Sequence, residues 1–298
     1  MSQQIDTALV QTYRSNIEIK FQQMGSRLRD TVRLETQHAE FDYYDRIGPV
    51  AATQVLTRGA DTVYQETPFD RRRISMVDYD WADIIDRKDK LRMLADPTSS
   101  YTQNAVYAMG RAIDQVIIAA ALGPAYTGKT GATTVTFPSS SQIAANYVES
   151  GTATNSNLTI GKLRYAKYLL ESKEAIMDNE PIWAIVSASQ IQSLLRTTEV
   201  TSADYNSIKA LVNGTVDTFM GFKFVRTQLL TTSTGANLRD CLFYPQSGIT
   251  CAMGNELVVR VDELPTKRYS AQVYCSGTFG ASRMWEEKVL QVICDETK

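Results

Sequence analysis

The feature that most constrains this chain is a long amphipathic run that begins at Asp96. Asp96 reads as an N-cap and Pro97 as the first helical residue. Apolar Val106, Met109, Ile113, Val116, Ile117 and Ala120 follow at spacings of three and four. The pattern predicts a helix from about Pro97 to Leu122, stopped by Gly123-Pro124. At a rise of about 1.5 Å per residue it reaches roughly 38 Å. Few compact domains need a helix of that length, so the remaining elements must be arranged along it.

The chain before this helix reads as surface. Residues 1–96 hold 30 of the 64 charged side chains, and the other 202 residues hold 34. Met1 to Asp45 mixes short polar helical patterns with few core-forming runs, and Ile47-Gly48-Pro49 marks a change to extended chain, which predicts an arm rather than a domain. From Thr53 to Ile85 the residues are mostly strand-like. Val77, Tyr79 and Trp81 alternate with Asp78, Asp80 and Ala82, the period of a half-buried strand. With a bend at Thr67-Pro68-Phe69-Asp70, this stretch predicts a long charged hairpin that has too little apolar surface to be stable alone.

Beyond the helix the pattern is α+β. Thr127 to Asn157 is rich in Ser, Thr, Gly and Ala and nearly free of charge, with Val135-Thr136-Phe137 as its one expected strand. A helix is expected from Thr159 to about Ser172, with Ile160, Leu163, Ala166 and Leu170 on one face, and a buried strand over Ile182–Val186. Ser189 is expected to cap a short helix through Leu195, and Ser202 or Asp204 another through Val212. Strands are expected over Phe219–Thr227, Leu242–Tyr244, Leu257–Val261, Tyr269–Cys275 and Val289–Cys294. No internal repeat is visible.

Composition narrows the function classes. A chain of 298 residues suffices for about two domains with full cores. The formal charge of -2 and pI of about 5.6 argue against a basic face that grips nucleic acid. No apolar run approaches the ~18 residues of a membrane helix, the longest being Val116–Leu122. The first residues have neither a basic leader nor an apolar stretch, so synthesis is expected to end in the cytoplasm. Cys241, Cys251, Cys275 and Cys294 lack any C-x-x-C spacing and sit in strand-like segments, where buried free thiols are expected.

Four constellations could carry chemistry. Gly123-Pro124-Ala125-Tyr126-Thr127-Gly128-Lys129-Thr130 fits G-x-x-x-x-G-K-[ST] letter for letter, which would make the chain a nucleotide hydrolase. That loop needs a strand before it and a helix after it, so that backbone N–H groups converge on phosphate. Here a helix precedes it and a β-branched stretch follows, so a helix stop and turn is the better reading. Asp78, Asp80, Asp83 and Asp86 suggest a carboxylate cluster for a hard cation, but their strand spacing and the upstream Arg71-Arg72-Arg73 favour ion pairing. If the hairpin projects, Arg71, Arg72, Arg73, Asp78 and Asp80 are candidate contact residues with a neighbouring subunit. His38, the single histidine, lies far from any Ser or Cys in a nucleophile setting, and Glu171, Glu174 and Glu180 read as solvated helix positions. No catalytic set, metal site or cofactor is expected.

The order of elements resembles the major capsid proteins of tailed bacteriophages, of the Hong-Kong-97 type. The resemblance is carried by Asp83-Ile84-Ile85-Asp86-Arg87-Lys88-Asp89 running into Asp96-Pro97-Thr98-Ser99 and the helix, and by Thr201-Ser202-Ala203-Asp204-Tyr205-Asn206 leading to Met220-Gly221-Phe222-Lys223-Phe224. It implies an N-terminal arm over residues 1–50, an extended loop over 51–88 and a peripheral domain over 89–178 with the long helix as its spine. It further implies an axial domain over 179–265, beginning near Trp183, and return strands of the peripheral domain over 266–298. The implied function is self-assembly into hexamers and pentamers of an icosahedral shell around double-stranded DNA, with only weak non-specific contact to that DNA. An encapsulin-like nanocompartment shell is the alternative.

The same resemblance sets expectations about partners. Some relatives weld the shell through an extended-loop lysine, yet no lysine occurs between Lys20 and Lys88. Stability is therefore expected to be non-covalent or to come from a separate cement protein. No long coiled-coil-like extension precedes the arm, so a separate scaffolding protein is expected, besides a portal. The expected location is the virion capsid, assembled in the host bacterial cytoplasm.

Overall fold

The computed structural model describes residues 22–54, 56–59, 61–86, 98–177, 180–196, 218–232, 235 and 237–298. Within these residues lie helices α1 (Thr98–Leu122), α2 (Ile160–Ser172) and α3 (Ala188–Arg196), and fourteen strands in three sheets. The expected cap at Asp96-Pro97 and the expected helix between Ser202 and Val212 fall outside the described residues.

The first sheet is built on two long antiparallel strands, β12 (Ile249–Leu264) and β13 (Ser270–Arg283). β4 (Val77–Ile85) lies on one side, antiparallel to β13, and β1 (Arg33–Thr36) on the other, parallel to β12. Alternation in β4 decides its faces. Tyr79 and Trp81 pack on the core, Tyr79 stacked on Phe279 at 4.5 Å, while Asp78, Asp80, Ala82 and Ile84 point away and are exposed. Helix α1 lies along β13 with Met109, Ile113, Ile117, Ile118 and Ala121 buried against the sheet. Ser100–Leu122 is long and apolar enough to cross a membrane by length and composition, contrary to the sequence expectation. In this fold its apolar face belongs to the protein core.

The second sheet corrects the expected hairpin. Its strands are β2 (Phe41–Ile47) and β3 (Phe69–Ser75), extended by β5 (Ala125–Thr127) and β6 (Thr133–Val135). Phe69 and Asp70 open a strand instead of forming the bend, and the excursion of the chain is the loop over residues 48–68. Val77–Ile85 is not the second limb, because its partner is β13, about two hundred residues away in sequence.

The third sheet has the order β7 (Gln142–Ile143), β14 (Leu290–Asp295), β11 (Leu238–Pro245), β8 (Ile182–Val186), β10 (Phe222–Arg226) and β9 (Thr218–Phe219). β8 is a continuous apolar run, and β11 is one from Cys241 onward, as central strands buried in the sheet require. β9 and β10 turn through Met220 and Gly221, both at positive φ. α2 begins where the sequence placed it, with Thr159 Oγ1 accepting from Lys162 N. α3 starts two residues earlier than expected at its cap, since Ser187 Oγ, not Ser189, accepts the first free N–H. Segment boundaries inferred from resemblance are not sheet boundaries. β12, inside 179–265, pairs with β13, whereas β14, inside 266–298, lies between β7 and β11.

Candidate assembly surface

The part of the arm that is described is docked, not loose. Asp114 on α1 is fully buried and accepts from Leu28 N at 3.1 Å, Arg27 N at 3.0 Å, Ser26 Oγ at 2.5 Å and Gln23 Nε2 at 2.5 Å. Four donors thus answer one carboxylate taken out of water, and they fix residues 23–28 across the helix. Thr31 and Tyr244 share a buried hydroxyl contact of 2.8 Å, and β1 then stitches the chain to β12.

The hairpin is held at its root and bare at its tip. Gly48 N donates to Pro68 O at 2.9 Å where the two strands part. At the root, Arg46 donates to Met284 O and pairs with Asp70, and its guanidinium lies 4.6 Å over the Trp285 ring. Arg72 donates to Met284 O at 3.3 Å and pairs with Glu286 at 2.5 Å. Arg73 lies between the rings of Phe41 and Tyr126, at 5.0 and 4.8 Å. Behind them Arg283 donates to Ala121 O at 2.8 Å and Gly123 O at 3.0 Å, answering carbonyls left free where α1 ends. Burial, together with the charge of Arg72, holds Arg46 below the usual arginine value, against the pull of Glu286.

Away from the root the hairpin presents apolar side chains to solvent. Leu56 is 85% exposed, Tyr64 91%, Val63 72% and Phe69 72%, with Ile47 and Val50 also exposed. The limbs of the loop are tied where Gln65 Nε2 donates to Thr53 Oγ1. They flank an open cleft of about 510 Å³ lined by Ala51, Gln54, Leu56, Thr57, Asp61 and Val63. Large apolar side chains this exposed, on a segment with no core, mark a contact surface.

The residues singled out in the sequence divide. Arg71 pairs with Asp45 at 2.6 Å on the exposed side of the hairpin. Arg72 is buried with its partner inside the chain, and Arg73 is enclosed by aromatic rings. None of the three reaches Asp78 or Asp80: Asp78 accepts from Thr278 Oγ1 at 2.6 Å, and both aspartates lie on the open face of the first sheet. Asp83 falls on the opposite face of β4, so the strand does not converge these carboxylates on a cation. His38 is exposed. Sequence reasoning missed Arg46, Asp70, Asp114, Arg283 and Glu286. Their partners are distant in the chain, and only Asp114, a lone acid within an apolar helical run, had a local signal.

The phosphate-loop reading is overturned by the same geometry. Residues 123–130 begin at the end of α1, pass through β5 and turn at Gly128 into β6, so a strand follows the loop where a phosphate site needs a helix.

This fold, with a docked arm, a rooted hairpin bare at its tip and a long helix on a sheet, is that of a shell-building subunit. Solved structures of phage heads share it, among them the following three. The head structure of Helicobacter pylori bacteriophage KHP40 has a TM-score of 0.74 at 9% identity, covering 99% of this chain and 98% of that one. The capsid of cyanophage P-SCSP1u has 0.73 at 14%, covering 97% and 94%, and the cyanophage Pam1 capsid 0.72 at 14%, covering 97% of each. No curated protein matches the chain in sequence. The family model for phage capsid protein matches residues 5–296. The chain belongs to the phage capsid protein family, and it is a shell-forming structural protein.

Proposed function

We propose that the chain is the coat subunit of a tailed phage, assembling into hexamers and pentamers of an icosahedral shell around double-stranded DNA. The observation that carries this reading is the hairpin, fixed at its root by Arg46 and Arg72 and bearing exposed Leu56, Val63 and Tyr64 at its tip. A rigid base with an apolar end suits a lever that lies on the neighbouring copy, and closed symmetry gives each copy one lever to offer and one surface to receive. On this reading β2, β3 and the loop between them are the extended loop, α1 is the spine and the six-stranded lobe is axial. Arg71, Asp78 and Asp80 are the exposed charges left to pair across subunits, while Arg72 and Arg73 hold the root.

The subunit acts by association and not by catalysis. Its partners are other copies of itself, a separate scaffolding protein and a portal, with non-covalent contacts or a cement protein closing the shell. Assembly takes place in the host bacterial cytoplasm. Negative-stain electron microscopy with sedimentation velocity, with and without the scaffolding protein, tests this. Shells, tubes or five- and sixfold rings are expected. A small monodisperse species under every condition would overturn the reading.

A further inference from the structure

The hairpin root encloses more positive charge than its carboxylates answer. Arg72 and Arg283 are 0% exposed and Arg46 is 7% exposed. Two carboxylates reach them. Glu286 lies inside, paired with Arg72 and 3.7 Å from Arg46. Asp70 has a side chain 44% exposed and also accepts from Thr127 Oγ1, and Glu287 is exposed and acts on Arg46 only at longer range.

Donors are left over in the same place. Arg46 Nε, Arg72 Nε and Nη1, Arg73 Nε, and Arg283 Nε and Nη2 are buried with no protein partner. They are six of the nine such side-chain atoms among the described residues. Arg72 and Arg283 share one field: besides burial, the largest effect on Arg283, Glu286 favours its charge and Arg72 opposes it. A buried lysine relieves such an excess by losing its proton, as burial pushes Lys162 in this protein towards doing. A guanidinium stays charged at any ordinary pH. Neutral groups answer part of it, as Ala121 O, Gly123 O and the Phe137 ring 5.0 Å away do for Arg283, and a negative partner would answer both the charge and the free N–H groups.

We propose that the hairpin root binds one small inorganic anion between Arg72 and Arg283, held by these unpartnered guanidinium N–H groups. The forked donors suit an oxyanion of phosphate size, and the charge alone suits chloride. The anion would join β3 to β13 and so stiffen the base from which the hairpin projects. The inference stands on the root geometry and does not depend on the shell reading.

Urea unfolding of the full chain tests it, at fixed ionic strength, as sodium gluconate is replaced stepwise by sodium chloride or by sodium phosphate. With one site, the unfolding constant falls about tenfold for each tenfold rise in anion above its Kd. A response to chloride alone identifies a halide-sized site, and a response to phosphate alone an oxyanion site. Glu286→Gln removes the competing carboxylate and should move the onset to lower anion concentration, whereas Arg283→Met should abolish the response. General salt effects act on all three proteins alike. If Arg283→Met does not fold, Glu286→Gln decides. The same anion dependence in wild type and E286Q, or none in wild type, overturns the proposal.

Discussion

A Cβ placed on Gly110 would lie 2.5 Å from the carbonyl carbon of Gly25 and 2.6 Å from Ser26 N. Helix and arm therefore meet backbone to backbone, and only a residue without a side chain lets Asp114, one turn further on, reach the N–H groups of Arg27 and Leu28. This contact makes residues 22–36 part of the folded subunit.

Gly110→Ala should accordingly destabilise. In an open helix the change gains about 1 kcal/mol. Here the clash is with backbone that cannot swing aside, and a net loss of about 1–3 kcal/mol is expected. Urea unfolding gives the sign, and a stabilised variant would show that arm and helix do not meet at this point.

Asp114→Ala removes the acceptor and leaves the backbone N–H groups of Arg27 and the buried Leu28 unanswered. A loss of about 3 kcal/mol is expected. Trypsin cleavage at Arg27 and Arg29 should accelerate while α1 stays protected. Unchanged cleavage would place the anchor of the arm elsewhere.

Leu56→Asp and Tyr64→Ser alter side chains that touch little of their own chain. Stability should stay within about 0.5 kcal/mol of wild type. Particle yield in electron microscopy should collapse. Normal shells from both variants would remove the hairpin tip from the assembly contact.

Glu296 supplies a pH dependence. Arg239 donates to both of its oxygens at 3.1 Å and Ser187 Oγ donates at 2.8 Å. These bonds, Arg239 first, hold its carboxyl below the ordinary value of 4.5 in spite of burial. The unfolded chain therefore binds the proton more readily. The stabilisation is complete above the unfolded value and is lost as pH falls through the folded one. Glu296→Gln should unfold more easily than wild type near neutral pH, and the gap should narrow on acidification through the carboxylate range. A gap independent of pH would separate Glu296 from this effect.

The four thiols should be silent. All are free and buried; burial pushes Cys251 up to about 11 and Cys241 well above its ordinary value. A thiol reagent at pH 8 should label none in the folded subunit and all four in urea. Rapid labelling of Cys241 in the native protein would mean that the third sheet opens.

Local pattern made α1, α2 and β8 legible, because each carries its own periodicity and stops. The expected strand over Ile182–Val186 coincides with β8, and the helix expected from Thr159 starts one residue later, with Thr159 as its cap. The C-terminal strands were located but shortened. β12 and β13 run for 16 and 14 residues, and their register slips between Met253 and Val258, beside Gly254 and Gly277, so the alternation breaks within strands that continue on either side. Gly280 sits where a Cβ would meet Ser75 O at 2.1 Å, a crowding that no local pattern reveals. The hairpin was misjudged for a related reason. The alternation of Val77–Trp81 correctly signals a strand, but its partner is set by β13 and not by the nearest extended segment. The root of the candidate surface depends on pairs such as Arg72 with Glu286, 214 residues apart, which only the closed fold brings together.

The strand order of the third sheet also bears on how the subunit is made. β14 fills the place between β7 and β11, and it is the strand of that sheet translated after all the others. While the ribosome is still producing residues before Leu290, β11 has one side unpaired and β7 has no neighbour in the sheet. A truncated chain therefore cannot complete this lobe. Only chains whose synthesis has passed that strand can fill the gap between β7 and β11 and so complete the sheet.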